Sequence, residues 1–231
     1  MLMKPLLATA LSGSLGGLMA TSGRSGTHLQ LRGLRSNRGT QEQQVVRGAV
    51  AGLTASWEST LSEAQRESWR TYAANVAVTN RLGESRHTSG MMMFVRANVG
   101  RLQIQANRID DAPVTFNRGD VTPPLVALAV SSIQIVASAF VGGPGADPWR
   151  QELGSFLLVF LGVPQNPGIQ KYRGSYRLAG SIQGDPFINP ASIVVTSPFR
   201  FAAGQRIFAR HEVSYADGRY TVATFGSIIA F

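Results

Sequence analysis

The chain has 231 residues, 44% of them hydrophobic, with 22 Lys+Arg against 13 Asp+Glu and a formal net charge of +9. That length can bury a core without disulfides or metal, and that composition excludes a chain disordered throughout. The lack of cysteine excludes disulfides, thiol catalysis and Cys-ligated zinc, and no run of about 18 apolar residues is present to span a bilayer.

Residues 1–39 read as an extended basic assembly arm. Gly13, Gly16, Gly17, Gly23, Gly26, Gly33 and Gly39 punctuate it, and no helical period runs through it. Thr27–Arg32 alternates polar and apolar residues like one short strand. Lys4 before Pro5–Leu11 has the order of a secretory leader, but the apolar run is short and broken by glycine, so secretion is not expected. The arm has too little side chain for a core of its own and is expected to gain order against a partner.

Basic charge concentrates in this part of the chain. Residues 1–50 carry Lys4, Arg24, Arg32, Arg35, Arg38 and Arg47 against Glu42 alone, whereas the remainder is close to balanced. Every cation except Lys4 and Lys171 is an arginine. Arginine's planar fork pairs with carboxylate or phosphate and tolerates desolvation, which suits protein interfaces and nucleic-acid backbones. GC-rich coding produces the same bias, so composition alone leaves both readings open.

Residues 40–110 read as a helical block. Thr40 with Gln43, and Ser62 with Gln65, have the spacing of capping boxes and mark two helix starts. From Gln41 to about Leu61, the residues Val46, Val50, Leu53, Trp57 and Leu61 recur on one apolar face. A second helix over Glu63–Asn75 places Trp69, Tyr72, Ala73 and Val76 together. A third begins near Ser89 and carries Met92, Phe94, Val95, Val99 and Leu102. Between the last two, Thr79–Glu84 reads as a turn or short hairpin.

Residues 111–231 change to β texture. The runs Val126–Val141, Ser155–Leu161, Ser192–Thr196 and Ile207–Val213 are separated by Gly, Pro, Asn and Asp. Asp217-Gly218, between Val213–Ala216 and Arg219–Val222, has the chemistry of a two-residue hairpin turn with positive φ at both central residues. About seven strands in such a length predict an antiparallel β-sandwich of immunoglobulin or fibronectin type, with a jelly roll or open barrel as alternatives. The expected class is therefore α+β: an extended N-terminal arm, a small helical block and a C-terminal sandwich.

Signatures of chemistry are sparse. His28, His87 and His211 have no metal-ligand spacing, and His211-Glu212 sits where neighbouring side chains point to opposite faces of a strand. Asp110-Asp111 precedes a proline at a junction and reads as a loop or cap rather than an acid–base pair. Gly13–Gly17 lacks a following Gly-Lys-Ser/Thr, Val141–Gly145 lacks a helix behind it, and no GxSxG elbow occurs. Met91-Met92-Met93 reads as core or interface filler. No catalytic, cofactor-binding or metal-binding residue is assigned, and no cofactor, small-molecule substrate or membrane is expected.

The candidate partner-binding residues are Arg24, Arg32, Arg35 and Arg38, in an acid-free stretch from Met1 to Gln41. They can meet carboxylates and carbonyls of neighbouring subunits or, as the alternative, the phosphate backbone of a nucleic acid; no recognition helix, RRM or zinc-finger pattern accompanies them.

A resemblance points the same way. Ser12–Ala20, the arginine-bearing arm, a Gln-rich helix start, Trp57 and Leu61–Ala73 follow in order, with Asn80–Gly83 and Ser89–Phe94 after them. Over about residues 12–102 this layout resembles proteins encoded among the structural genes of tailed bacteriophages and prophages. The resemblance implies a non-enzymatic virion component, assembled in the host cytoplasm from copies of itself and other virion proteins, whether in capsid, connector or tail. It supplies no catalytic residues.

Overall fold

The computed structural model describes residues 2–3, 13–15, 17–23, 26–31, 39–79, 84–140 and 147–231. They contain three α-helices and four antiparallel sheets, an α+β architecture, and divide into the units Met1–Thr40 and Gln41–Phe231.

In the first unit β1 (Leu2–Met3), β2 (Gly13–Leu15), β3 (Leu18–Gly23) and β4 (Gly26–Leu31) pair in the order β1-β4-β3-β2. Register places Gly23 opposite Gly26 and Leu18 opposite Leu31. The expected short strand is present as β4, but three more accompany it where an extended arm was expected. Backbone pairing needs no strong side-chain alternation, so a Gly- and Ser-rich stretch can form ladders that its sequence pattern scarcely announces.

The second unit begins with α1 (Gln41–Ser59) and α2 (Glu63–Asn75). Ser62 Oγ accepts from Gln65 N at 3.2 Å, and Ser62 N donates to Gln65 Oε1 at 3.0 Å, closing the predicted box. The hairpin β5 (Val78–Thr79) with β6 (Ser85–Arg86) leads to α3 (Gly90–Gln103), capped by Ser89. Leu53, Trp57, Leu61, Trp69, Tyr72, Ala73, Val76 and Phe94 form the helical core. Val46 and Val50, expected on the same face, are exposed, because only the C-terminal half of α1 and the following Leu61 reach α2 and α3. Met92 is exposed as well, while Met93 is buried.

Seven strands follow: β7 (Leu125–Val130), β8 (Ile135–Ala139), β9 (Phe156–Gly162), β10 (Tyr176–Gln183), β11 (Ser192–Thr196), β12 (Arg206–Ser214) and β13 (Thr224–Ile229). They form a four-stranded sheet, β10-β9-β12-β13, and a three-stranded sheet, β11-β8-β7. The apolar run from Val126 holds two strands, parted at Ser131–Gln134, where Gln134 has a φ of 57°. Val126, Ala129, Val136, Ile193 and Val195 from the smaller sheet share one core with Leu157, Val159, Leu161, Ile207, Ala209 and Val213 from the larger. Asp217-Gly218 does make a tight turn, with Gly218 N donating to Tyr215 O, but only Gly218 has positive φ. Asp217 instead accepts from Arg219 N at 3.0 Å and fixes the turn through its side chain.

Helix α3 packs on the outer face of the larger sheet. Gly100 lies so close to Leu158 that a Cβ there would stand 2.5 Å from Leu158 Cδ1. This second layer explains the unbroken apolar run Phe156–Leu161, since a strand covered on both faces needs no polar alternation. Arg101, in the last turn of α3, is 5% exposed and donates to the carbonyls of Asn107 (2.8 Å) and Gly154 (2.9 Å) and to Ser214 Oγ (3.3 Å).

Candidate interaction surfaces

Many ionisable side chains of the Gln41–Phe231 unit engage partners inside it. Arg66 and Arg70 pair with Glu63 at 2.8 and 2.6 Å, and hydrogen bonds from both hold its carboxyl below the usual range. Arg118 donates to the carbonyls of Tyr220 (3.1 Å) and Thr221 (2.8 Å), and Arg206 to that of Pro167 (3.0 Å). Arg219 pairs with Asp217 at 2.6 Å. Arg210 lies 4.3 Å from the Phe160 ring centre and 5.5 Å from that of Tyr176. Here the planar guanidinium ties loops by reaching carbonyls that a point-charge ammonium would serve less well.

Asp110, Asp111, His87, His211 and Glu212, tested above for chemistry, each engage partners within the fold, while the side chain of His28 lies outside what the structure describes. Asp110 pairs with Arg108 and offers its carbonyl to Trp69 Nε1 at 2.8 Å, while Asp111 accepts from Gln65 at 3.0 Å. His87 Nδ1 donates to Ala73 O at 3.1 Å. His211 is 0% exposed between the two sheets, its Nε2 2.9 Å from Ser138 Oγ. Tyr220 donates to Glu212 Oε2 at 2.6 Å, and burial pushes its phenol well above the ordinary value. Among the described residues no group of three or more His, Asp or Glu side chains could hold a metal ion, and no helix is long and apolar enough to cross a membrane.

Burial depresses His211 to a pKa of about 4 against an ordinary value of 6.5. The folded protein therefore holds the neutral imidazole, while the unfolded chain takes up a proton once pH falls below about 6.5. The stability this contributes is complete above pH 6.5 and is lost as pH falls from there towards 4. Its full size is about 3 kcal/mol at roughly 1.4 kcal/mol per pKa unit. Urea unfolding at pH 7 and pH 4.5 should reveal that component in the native protein and not in the double variant Ser138→Ala/His211→Leu. Equal pH slopes in the two would show that His211 is not the group responsible.

The predicted partner-binding residues Arg24, Arg32, Arg35 and Arg38 lie outside the described residues, as does the glycine loop from Val141. Between Arg24 and Arg32, however, β4 is described, and the cross-strand neighbours Leu18 and Leu31 are both exposed. Sequence reasoning missed a set of exposed apolar side chains in the β region. Leu125, Val194, Phe187 and Ile188 are exposed in a part of the chain where Val121–Ala146 and Pro186–Phe199 contain no charged residue. The signal was available as a charge-free run within a strongly basic chain.

Comparison with known protein families, curated proteins and solved structures finds no match.

Proposed function

We propose that this chain is a non-enzymatic structural component of a tailed-bacteriophage virion. The arginine-bearing N-terminal unit joins it to copies of itself or to other virion proteins, and the Gln41–Phe231 unit serves as the rigid body. The observation that carries the reading is the separateness and chemistry of Met1–Thr40. It is a unit of its own, rich in strands, with Leu18 and Leu31 exposed opposite each other and cations unaccompanied by any acid. A small β unit of this kind suits addition to a neighbour's sheet edge or groove, with Arg24, Arg32, Arg35 and Arg38 setting register through carboxylates and carbonyls.

The rigid body we read as a β-sandwich of fibronectin or immunoglobulin type braced by helices. Lettered A to G in chain order, its strands run E-B-A in one sheet and D-C-F-G in the other. Relative to the immunoglobulin constant arrangement, the fourth strand pairs with C rather than with E. The internal engagement of so many arginines supports a body built for rigidity rather than for a phosphate-binding face.

The test compares the native chain with a full-length variant in which Arg32, Arg35 and Arg38 are glutamine. The expected result is weakened assembly, with duplex DNA binding equally weak in both at matched salt. The opposite result is tight DNA binding by the native chain that falls with salt at a log–log slope of about −2.7, as for three neutralised phosphates, and that flattens in the variant. That outcome would replace the assembly reading with nucleic-acid contact.

A further inference from the structure

The outer face of the four-stranded sheet is divided. Helix α3 covers the end at Phe156, Leu158 and Ser214, through Gly100 and Arg101. Past that end, register sets Leu178, Phe160, Arg210 and Phe225 in one row across β10, β9, β12 and β13. Direct contacts join this row into one surface. The Arg210 guanidinium lies 4.3 Å from the Phe160 ring centre and 5.5 Å from that of Tyr176, and the Tyr176 and Phe225 rings are 6.0 Å apart. Tyr172, from the loop before β10, stands edge-on to Tyr176 at 5.0 Å and stacks on Phe208 at 5.6 Å. The result is a continuous floor of aromatic rings with a guanidinium laid into it.

That floor is open to solvent at β13 and bordered by positive charge. Phe225 is 63% exposed, while Tyr172, Tyr176 and Arg210 are half-buried. A lone exposed ring carries little meaning, but one that continues a patch of rings marks a contact surface. Residues 163–183 carry Lys171, Arg173 and Arg177 and no acid. Lys171 and Arg173 are exposed on either side of Tyr172 in the chain. The four strands themselves hold Arg177, Arg206 and Arg210 against Glu212 alone. Glu212 already accepts from Tyr220 at 2.6 Å and pairs with Arg210 at 3.4 Å.

We propose that this face binds a single-stranded nucleic acid, its bases stacking on Phe225 and Tyr176 and its phosphates meeting Lys171 and Arg173. Ring faces and positive charge together select the occupant. Aromatic side chains stack on a base of any sequence, and a basic border follows the backbone beside them. A neutral peptide or lipid would leave the cations unanswered, and a polyanion without rings would leave Phe225 in water. Arg210 is drawn back onto rings and Arg206 onto the Pro167 carbonyl, so a duplex, with its bases stacked inside, finds little here. Weak duplex binding is also what the assembly reading expects. The proposal is independent of that reading, since it concerns the Gln41–Phe231 unit and a different ligand.

The test is fluorescence anisotropy of the full-length native chain with a labelled oligothymidylate of about 20 nucleotides, long enough to cover such a site, and with the same strand annealed to its complement. The expected result is tighter binding of the single strand. Phe225→Ala should weaken it about 5- to 100-fold, the loss of one stacked base, while Phe225→Trp retains it. Lys171→Gln/Arg173→Gln should flatten the log–log salt slope by about 1.4, as for two phosphates of a single strand. These positions are exposed, so thermal midpoints should match the native chain's and separate lost binding from lost folding. Heparin, a polyanion without bases, should bind the native and Phe225→Ala chains alike. A native chain that ignores the single strand, or that binds the duplex as tightly, would overturn the proposal. So would binding that Phe225→Ala leaves unchanged but Arg32→Gln/Arg35→Gln/Arg38→Gln abolishes, which would assign the strand to the N-terminal unit. A Phe225→Ala loss shared by heparin would assign the ring to a sugar polymer and overturn it equally.

Discussion

Truncating Trp69 to alanine is expected to remove about 3–5 kcal/mol of stability, the usual range for a large aromatic side chain in a packed core. Trp69 is 0% exposed, and its ring meets Tyr72 and Phe94 edge-on at 5.9 and 5.8 Å between centres. The indole N–H also donates to Asp110 O at 2.8 Å, so truncation both opens a cavity and leaves a carbonyl without its donor. Its far edge touches the turn of the β region, where a Cβ on Gly218 would lie 3.3 Å from the indole. Trp69→Phe should cost less, keeping most of the volume while losing the hydrogen bond. Urea midpoints for both variants give the comparison, and a Trp69→Ala midpoint near the native one would contradict this packing. Trp57→Ala should also destabilise, since that ring packs 5.8 Å from Phe94.

Arg101→Ala should have a comparable effect and a different signature. The guanidinium joins α3 to the larger sheet, reaching Asn107, Gly154, Ser214 and Tyr215 while stacking 5.1 Å from the Phe156 ring centre. Burial lowers its pKa, and among the described residues no carboxylate forms an ion pair with it. Backbone carbonyl dipoles therefore hold the charge. Removing it leaves buried acceptors unsatisfied at about 1–3 kcal/mol each, for an expected total of several kcal/mol. Arg101→Lys should recover only part, because a single ammonium cannot reproduce the fork. The variant should also uncouple helices from sheets, so that far-UV dichroism and tryptophan fluorescence no longer give coincident unfolding curves. Coincident curves with an unchanged midpoint would show that the joint rests on apolar packing instead.

Much of the helical region was legible in advance because its signals are local. The reciprocal Ser62–Gln65 bonds span three positions, and the spacing of Trp69, Tyr72, Ala73 and Val76 reports one face of one helix. The candidate binding surface was legible only in part. Clustered arginines stand out in a sequence, whereas Phe187 and Ile188 look like ordinary core residues until the fold leaves them in solvent. The same limit misplaced Val46 and Val50: periodicity identifies an apolar face but not how far along the helix a partner extends.

By itself, the sequence determined the α2 boundaries, the change from helical to β texture near Asp110, the tight turn at Asp217-Gly218 and the concentration of basic charge near the N-terminus. Each depends on residues a few positions apart, or on composition. Only the tertiary structure decided that β10 joins β9 rather than β11, that His211 faces Ser138 within the core, and that Arg101 links a helix to Ser214 and Tyr215, 113 and 114 positions away. It also decided that Leu125 and Val194 would stand exposed on the three-stranded sheet. Burial and strand pairing are set by which distant segments meet, and that depends on the packing of the whole chain rather than on the propensity of any part of it.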